Sequence, residues 1–100
     1  MNTKKEIIDF LKTNHQYIID TYHITKIGLF GSFARGEQTK HSDVDVLIEI
    51  REGTKNIYDL KQSLNSYLSK AFGRNVDLAR EKYLKPYAKK FILQDTIYVK

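Results

Sequence analysis

The sequence contains no cysteine, no tryptophan and only one proline among its 100 residues. Without cysteine the chain can form neither disulfide bonds nor thiolate metal sites, and this composition fits a reducing compartment. No apolar run approaches the ~20 residues that a membrane-spanning helix needs. The N-terminal segment also lacks the uninterrupted apolar stretch of a signal peptide. We therefore expect a cytoplasmic protein with no membrane association.

Acidic residues are outnumbered, with 12 against 17 basic residues and a net charge of +5. A positive balance favours anionic partners such as nucleotide phosphates, RNA or an acidic protein surface. Solvated lysines and arginines on helix faces explain most of this excess. We do not expect nucleic acid as a direct ligand, because that interpretation rests on net charge alone. The length indicates one domain, residues 1–100.

Apolar spacing and turn residues predict four helices, one of them very short, and four strands. The predicted helices are 4–20, a short turn at 32–35, about fifteen residues from Ile57 closed by Gly73, and 86–93. The predicted strands are 25–30, 43–50, 75–80 and 96–99. This order, α-β-(short α)-β-α-β-α-β, predicts an α/β (α+β) fold with helices packed on a mixed sheet.

One stretch carries the chemistry of the sequence: Gly31-Ser32, ten residues, and then Asp43-Val44-Asp45. Residues two apart on a strand point the same way, roughly 6.6 Å apart, so the two aspartates can share hard cations such as Mg²⁺. Gly31 and Ser32 end the preceding strand, where backbone N–H groups can hold phosphate oxygens. The spacing predicts a site for a nucleoside triphosphate and its metal ions.

Each part of this pattern has a simpler interpretation. Aspartates are common at strand ends, and Gly-Ser is an ordinary turn dipeptide. Asp77 favours the functional interpretation, because on a neighbouring strand it could supply a third carboxylate, complete a two-metal site and accept a proton from an attacking hydroxyl. Arg35, one turn beyond Ser32, could neutralise triphosphate charge.

Together, these residues resemble the DNA polymerase beta-type nucleotidyltransferase superfamily. The runs Gly31-Ser32-Phe33-Ala34-Arg35-Gly36 and Ser42-Asp43-Val44-Asp45-Val46 are similar to its minimal nucleotidyltransferase (MNT) branch. The resemblance implies that Gly31 and Ser32 bind the triphosphate of ATP. It also implies that Asp43, Asp45 and Asp77 hold Mg²⁺ and catalyse transfer of AMP to a hydroxyl.

Many small members of this branch are similar to antitoxins of HEPN/MNT toxin–antitoxin pairs. The resemblance therefore implies a hetero-oligomer with a HEPN ribonuclease toxin, with a toxin tyrosine as the acceptor. The short chain, with no second domain to grip a small acceptor, favours a macromolecular acceptor. The basic, tyrosine-containing segment 82–90 is our predicted partner surface. The alternative hypothesis is a non-catalytic antitoxin that inhibits its partner by occlusion.

Overall fold

The computed structural model describes residues 1–100 and contains five α-helices, one 3₁₀ helix and four strands. In chain order these are α1 (Lys4–Thr13), α2 (His15–Tyr22), β1 (Ile24–Phe30), α3 (Gly31–Arg35), β2 (Val44–Ile50), α4 (Ile57–Phe72), β3 (Val76–Arg80), the 3₁₀ helix (Glu81–Tyr83), α5 (Pro86–Asp95) and β4 (Ile97–Val99). None of the helices has the length and apolar character needed to cross a membrane.

The four strands form one mixed sheet in the order β3-β2-β1-β4. β1 pairs antiparallel with β2 and β4, whereas β2 and β3 are parallel. A parallel pair needs a crossover connection, which α4 supplies here. The C-terminal end of β1 consequently lies beside the N-terminal ends of β2 and β3. The predicted fold class is confirmed, and this end of the sheet gathers three segments of the chain.

The hydrophobic core lies on one face of the sheet. Alternate strand residues such as Leu29, Val46 and Ile48 point to this face and are fully or almost fully buried. The first, second and fourth helices supply the opposing layer, with the fully buried residues Ile7, Leu11, Ile18, Leu64, Leu68 and Phe72. Burying each such side chain contributes about 1.5–3 kcal/mol to stability. The helical layer therefore holds one face of the sheet in place and leaves the other face for polar side chains.

On the opposite face of the sheet, β2 carries polar side chains. The side-chain alternation of a strand places Asp45, Leu47 and Glu49 on this face, as predicted. Leu47 is buried but lies apart from the main core cluster. α5, which has no buried residue, packs against α3 and β1. Asp77, on β3, remains exposed.

The single first helix predicted for residues 4–20 is wrong, because the chain breaks at Asn14 between α1 and α2. The Asn14 side-chain amide and its backbone N–H both donate to the Phe10 carbonyl, at 2.9 and 3.0 Å. Short polar side chains compete in this way with the helical hydrogen-bond ladder. Leu11 and Ile18 are buried on either side of the break, so apolar periodicity does not reveal it.

Most other boundaries differ by one or two residues. β2 begins at Val44, one residue later than predicted, so Asp43 immediately precedes the strand. The 3₁₀ helix after β3 was not predicted, and an extended segment at residues 84–85 separates it from α5. Tyr83 and Tyr87 therefore belong to different helices, and both are exposed.

Candidate active site

Two carboxylates are direct neighbours across the parallel strands β2 and β3. Asp45 is the register partner of Asp77, and on its other side Asp45 pairs with Phe30 at the end of β1. Adjacent strands lie about 4.8 Å apart, and paired residues present their side chains on the same face. The strand of Asp77 thus neighbours that of Asp45, which is the condition for Asp77 to supply a third carboxylate.

Asp43 completes the group of carboxylates at this end of the sheet. It is exposed and immediately precedes β2, two residues before Asp45. The charges of both Asp43 and Asp77 act on the Asp45 carboxyl and help to raise its pKa. The structure therefore brings together the three aspartates that the sequence analysis selected.

The Asp45 carboxyl lies among an excess of negative charge from neighbouring carboxylates. Its side chain is half-buried, and burial is the main cause that raises the pKa of Asp45 above its usual range. The negative charges of Asp77 and Asp43 raise it further, and Arg35 partly opposes them. A bound cation would relieve this repulsion, because it favours the ionised carboxylates.

Gly31 lies directly against the Asp45 side chain. Its φ of +74° is a left-handed conformation that side chains rarely adopt. A Cβ atom built on Gly31 would lie 2.9 Å from the Asp45 Cγ and 3.1 Å from its Cβ. Glycine at this position thus allows the turn after β1 and the carboxylate of β2 to occupy the same corner.

Ser32 follows Gly31 in the short helix α3. Phe30 occupies the N-cap position of this helix and no side chain caps it. The N–H groups of the first turn of a helix have no intrahelical acceptors, so here they can bind an external oxygen. Ser32 thus lies on the segment that adjoins Asp45, as the phosphate-binding hypothesis requires.

Arg35, at the end of α3, binds two carboxylates of its own. Its Nε donates to Glu37 at 2.9 Å and its Nη1 donates to Asp95 at 3.2 Å. The second contact connects α3 to the end of α5. Arg35 remains exposed and its charge acts on Asp45, so its predicted contact with nucleotide stays a prediction.

A cavity of about 490 Å³ has Asp43 in its lining. No hydrophobic residue lines it, and its basic groups include Lys40, His41, Lys70 and Arg74. The cavity therefore places positive charge beside one of the three carboxylates, where a phosphate-bearing ligand would benefit from it.

The donor set at this end of the sheet fits a divalent metal chemically. Carboxylate oxygens are the ligands that Mg²⁺ prefers, and the excess negative charge on Asp45 calls for a cation. In their present orientations, however, no three His, Cys, Asp or Glu side chains meet as a metal-binding group. The two-metal site at Asp43, Asp45 and Asp77 thus stays a prediction.

Two residues near the site were not assigned a role by sequence reasoning. Asp95 pairs with Arg35 across 60 positions of sequence, and no local pattern signals such a contact. Arg74 follows Gly73, which ends α4, and contacts several segments around the site. In the sequence it is only one of several basic residues, so its contacts required the structure.

The family comparison covers almost the whole chain. The model of the nucleotidyltransferase domain matches residues 4–99. The chain is 41% identical over 100 residues to a Methanocaldococcus jannaschii protein named "Putative protein adenylyltransferase MJ1379", covering 99% of this chain and 100% of that protein. It is 32% identical over 99 residues to "Protein adenylyltransferase MntA" of Thermococcus cleftensis, covering 99% and 98%.

Solved structures agree with the fold. A structure described as a "putative minimal nucleotidyltransferase" has a TM-score of 0.71 and 26% identity, covering 90% of this chain and 93% of that one. A toxin–antitoxin crystal structure with AMP-PNP gives a TM-score of 0.67 at 20% identity, covering 87% and 70%. A tri-AMPylated Shewanella oneidensis HEPN toxin in complex with MNT antitoxin gives 0.61 at 16%, covering 91% and 70%.

At identities of 20% and 16%, the last two structures show a similar fold and nothing more. The family match and the two relatives named as adenylyltransferases, in contrast, extend over nearly every residue. The matched region includes the turn at Gly31 and the aspartates of β2 and β3. The chain belongs to the nucleotidyltransferase domain family.

Proposed function

We propose that this protein is a metal-dependent protein adenylyltransferase that transfers AMP from ATP to a hydroxyl group of a partner HEPN toxin. The observation that carries the proposal is the pairing of Asp45 with Asp77 directly beside Gly31. This pairing puts the expected metal ligands next to the expected triphosphate-binding turn. The relatives named as protein adenylyltransferases support the acceptor class, and the AMPylated toxin complex supports the partner.

Each residue has a defined task in this proposal. Gly31 and Ser32 bind the triphosphate, and Asp43, Asp45 and Asp77 would hold the divalent metal. When bound, the metal would neutralise triphosphate charge and stabilise the charge that develops during transfer. Arg35 adds positive charge on the α3 side of the site. The excess negative charge at Asp45 supports a cation there.

The transfer is an in-line displacement at the α-phosphorus of ATP. The acceptor oxygen forms a bond to that phosphorus, the bond to the bridging oxygen breaks, and pyrophosphate leaves. The acceptor hydroxyl loses its proton to Asp77, which is exposed and directly beside Asp45. A toxin tyrosine is the acceptor that we propose.

The partner is proposed to dock on the segment 82–90 and its continuation along α5. Tyr87 and Phe91 are one helical turn apart and are 78% and 66% exposed, and Tyr83 is 67% exposed. Exposed aromatic residues of this size are typical of protein interfaces, and the neighbouring lysines add positive charge around them. α5 contacts α3 through its C-terminal residue Asp95, which pairs with Arg35, so this helix connects the proposed docking segment to the proposed phosphate site. We expect the partner's docking surface to be acidic.

Calorimetry tests the nucleotide and metal parts of the proposal. ATP binding should strengthen with Mg²⁺ and weaken strongly in Asp43→Asn. Unfolding of this variant should change little, because an exposed carboxylate rarely contributes more than about 1 kcal/mol to stability. Equal ATP affinity with and without Mg²⁺ would overturn the metal assignment.

Intact-mass spectrometry of the purified toxin partner tests the transfer. Wild-type protein with ATP and Mg²⁺ should add one or more AMP masses, whereas Asp77→Asn should add none and still bind ATP in part. Without partner, the protein should be nearly idle, because positioning two reactants supplies roughly 7–11 kcal/mol of a barrier. A toxin that is inhibited but unmodified would replace the enzyme hypothesis with inhibition by occlusion.

A further inference from the structure

Arg74 bonds to parts of the chain that are far apart in sequence. Its Nη1 donates to the carbonyl oxygens of Thr39 and Ser42, at 3.0 and 2.9 Å. Its Nε donates to the Met1 carbonyl at 2.8 Å, and its Nη2 donates to the Asn2 side chain at 3.0 Å. One guanidinium therefore joins the N-terminal segment to the loop between α3 and β2.

The same guanidinium also contacts the proposed phosphate-binding helix. Its Cζ lies 4.9 Å from the centroid of the Phe33 ring, and Phe33 is fully buried. Phe33 directly follows Ser32 in α3. A cation over an aromatic ring is worth about 0.5–1 kcal/mol at exposed sites and more when desolvated. Arg74 thus helps to fix α3 against the start of β3.

The loop bonds formed by Arg74 lie immediately before a proposed metal ligand. Ser42 is adjacent to Asp43, and Thr39 and Ser42 also bond to each other through the Ser42 N–H and hydroxyl, at 3.1 and 2.8 Å. Arg74 therefore binds a small turn that is itself held by hydrogen bonds. Asp43 is exposed, so its position depends on this turn.

We propose that Arg74 is a positioning residue of the active site, and the inference rests on the proposed function. Arg74 holds the turn before Asp43 and the helix that carries Ser32 in fixed positions relative to β3, where Asp77 follows three residues later. The three segments then present their groups to one nucleotide–metal ligand. Arg74 acts through these segments, because four of its five N–H donors are already bonded to protein acceptors.

Arg80 provides a matched control on the other side of Asp77. It also lies three residues from Asp77, and it also forms hydrogen bonds and stacks on an aromatic ring. Its Nη2 donates to Glu49 at 2.8 Å, and its Cζ lies 5.0 Å from the Tyr83 centroid. These contacts are at the far end of β2, so they do not bear on the turn before Asp43.

The test compares Arg74→Lys, Arg74→Gln and Arg80→Lys in the full chain, by thermal unfolding and by amide hydrogen exchange of residues 39–45. Both Lys variants should lose a few degrees in melting temperature. Only the Arg74 variants should exchange faster at residues 39–45, by about tenfold for each hydrogen bond lost. Arg74→Gln removes the charge and keeps one NH₂ group with two N–H donors, so residues 39–45 should exchange faster than in wild type in this variant too.

Calorimetry then connects the turn to the ligand. The Mg²⁺ concentration for half-maximal ATP binding should rise in Arg74→Lys and stay at the wild-type value in Arg80→Lys. Unchanged exchange at residues 39–45, or an equal shift in Mg²⁺ dependence for both variants, would overturn the inference. Wild-type protein that binds no ATP at any Mg²⁺ concentration would instead refute the proposed function, while the exchange data still decide whether Arg74 holds the turn.

Discussion

Gly31 lies so close to the Asp45 side chain that a Cβ atom at position 31 would have to displace it. We expect Gly31→Ala to lower both stability and ATP affinity. The new Cβ atom would lie 2.9 Å from the Asp45 Cγ and would also have to adopt a φ near +74°. A left-handed conformation alone costs an L-residue roughly 1–2 kcal/mol, and displacement of Asp45 adds to this cost.

Gly36→Ala is the matched control for that substitution. Gly36 also has a positive φ, +71°, but no atom lies within 4 Å of the position of its Cβ. It should show the conformational cost alone and keep its ATP affinity. Urea unfolding and calorimetry of both variants separate the two effects. Equal losses in both variants would mean that the contact with Asp45 has no consequence.

Ser32→Ala should lower ATP affinity several-fold and leave the melting temperature nearly unchanged. Loss of a serine cap ordinarily costs about 1 kcal/mol. Here the N-cap of α3 is Phe30, and no side chain caps the helix, so Ser32 has no capping role to lose. Calorimetry and thermal unfolding of the same samples measure both quantities. A destabilised variant with unchanged affinity would contradict the phosphate-binding role.

At the scale of elements, the sequence predicted the strands of the site better than the helices around them. The alternation in β2 and the isolated Asp77 between Val76 and Leu78 contain the local period of a strand, so both carboxylates could be placed. The break at Asn14 could not, because its side-chain bond to Phe10 leaves the apolar spacing intact.

The contacts that shape the site were also beyond prediction. The fit of Gly31 against Asp45 depends on the exact register of β1 and β2, which no local pattern specifies. The bonds of Arg74 to residues 1, 39 and 42 depend on which loops meet at the end of α4. The sequence thus predicted which chemical groups lie in the candidate site, whereas the packing that positions them is visible only in the structure.

α5 should contribute to partner binding without contributing to the chemistry. The double variant Tyr87→Ala/Phe91→Ala removes two exposed aromatic rings, and α5 has no buried residue. We therefore expect unchanged stability and ATP affinity, but weaker toxin binding and slower AMP transfer to the toxin. Large aromatic residues often carry more than 2 kcal/mol of an interface, about a 30-fold change in Kd.

Tyr58→Ala is the control for this surface. Tyr58 is 73% exposed on α4 and is not part of the proposed docking segment. Surface plasmon resonance with immobilised toxin would compare the variants. Equal toxin affinity of wild type and the α5 double variant would place the interface elsewhere.

At the scale of the whole molecule, Tyr98 connects the last strand to the 3₁₀ helix. Its hydroxyl donates to Glu81, which also pairs with Lys26 at 3.4 Å. Burial, and then the hydrogen bond to Glu81, raise the pKa of Tyr98 to about 12. A raised pKa in the folded state contributes stability that is complete below the unfolded pKa of about 10 and disappears as pH rises through about 12.

Tyr98→Phe should therefore be less stable than wild type by about 0.5–1.5 kcal/mol at pH 8. The difference should become smaller at about pH 11, where the unfolded wild-type tyrosine ionises and the folded one does not. Urea unfolding at both pH values measures this, with Tyr58→Phe as an exposed control. A difference that does not depend on pH would mean that the Tyr98 proton contributes nothing to folding.

The parallel pairing of β2 with β3 also has a kinetic consequence. The two strands are separated by the whole of α4, so the pairing of Asp45 with Asp77 forms only after that crossover is complete. Contacts between distant parts of a chain form slowly, and here like charges oppose the last step. A nascent or partly folded chain would thus lack the assembled aspartates, so the proposed AMP transfer would require the complete fold. Excess Mg²⁺ should act as a folding ligand and raise native stability by mass action.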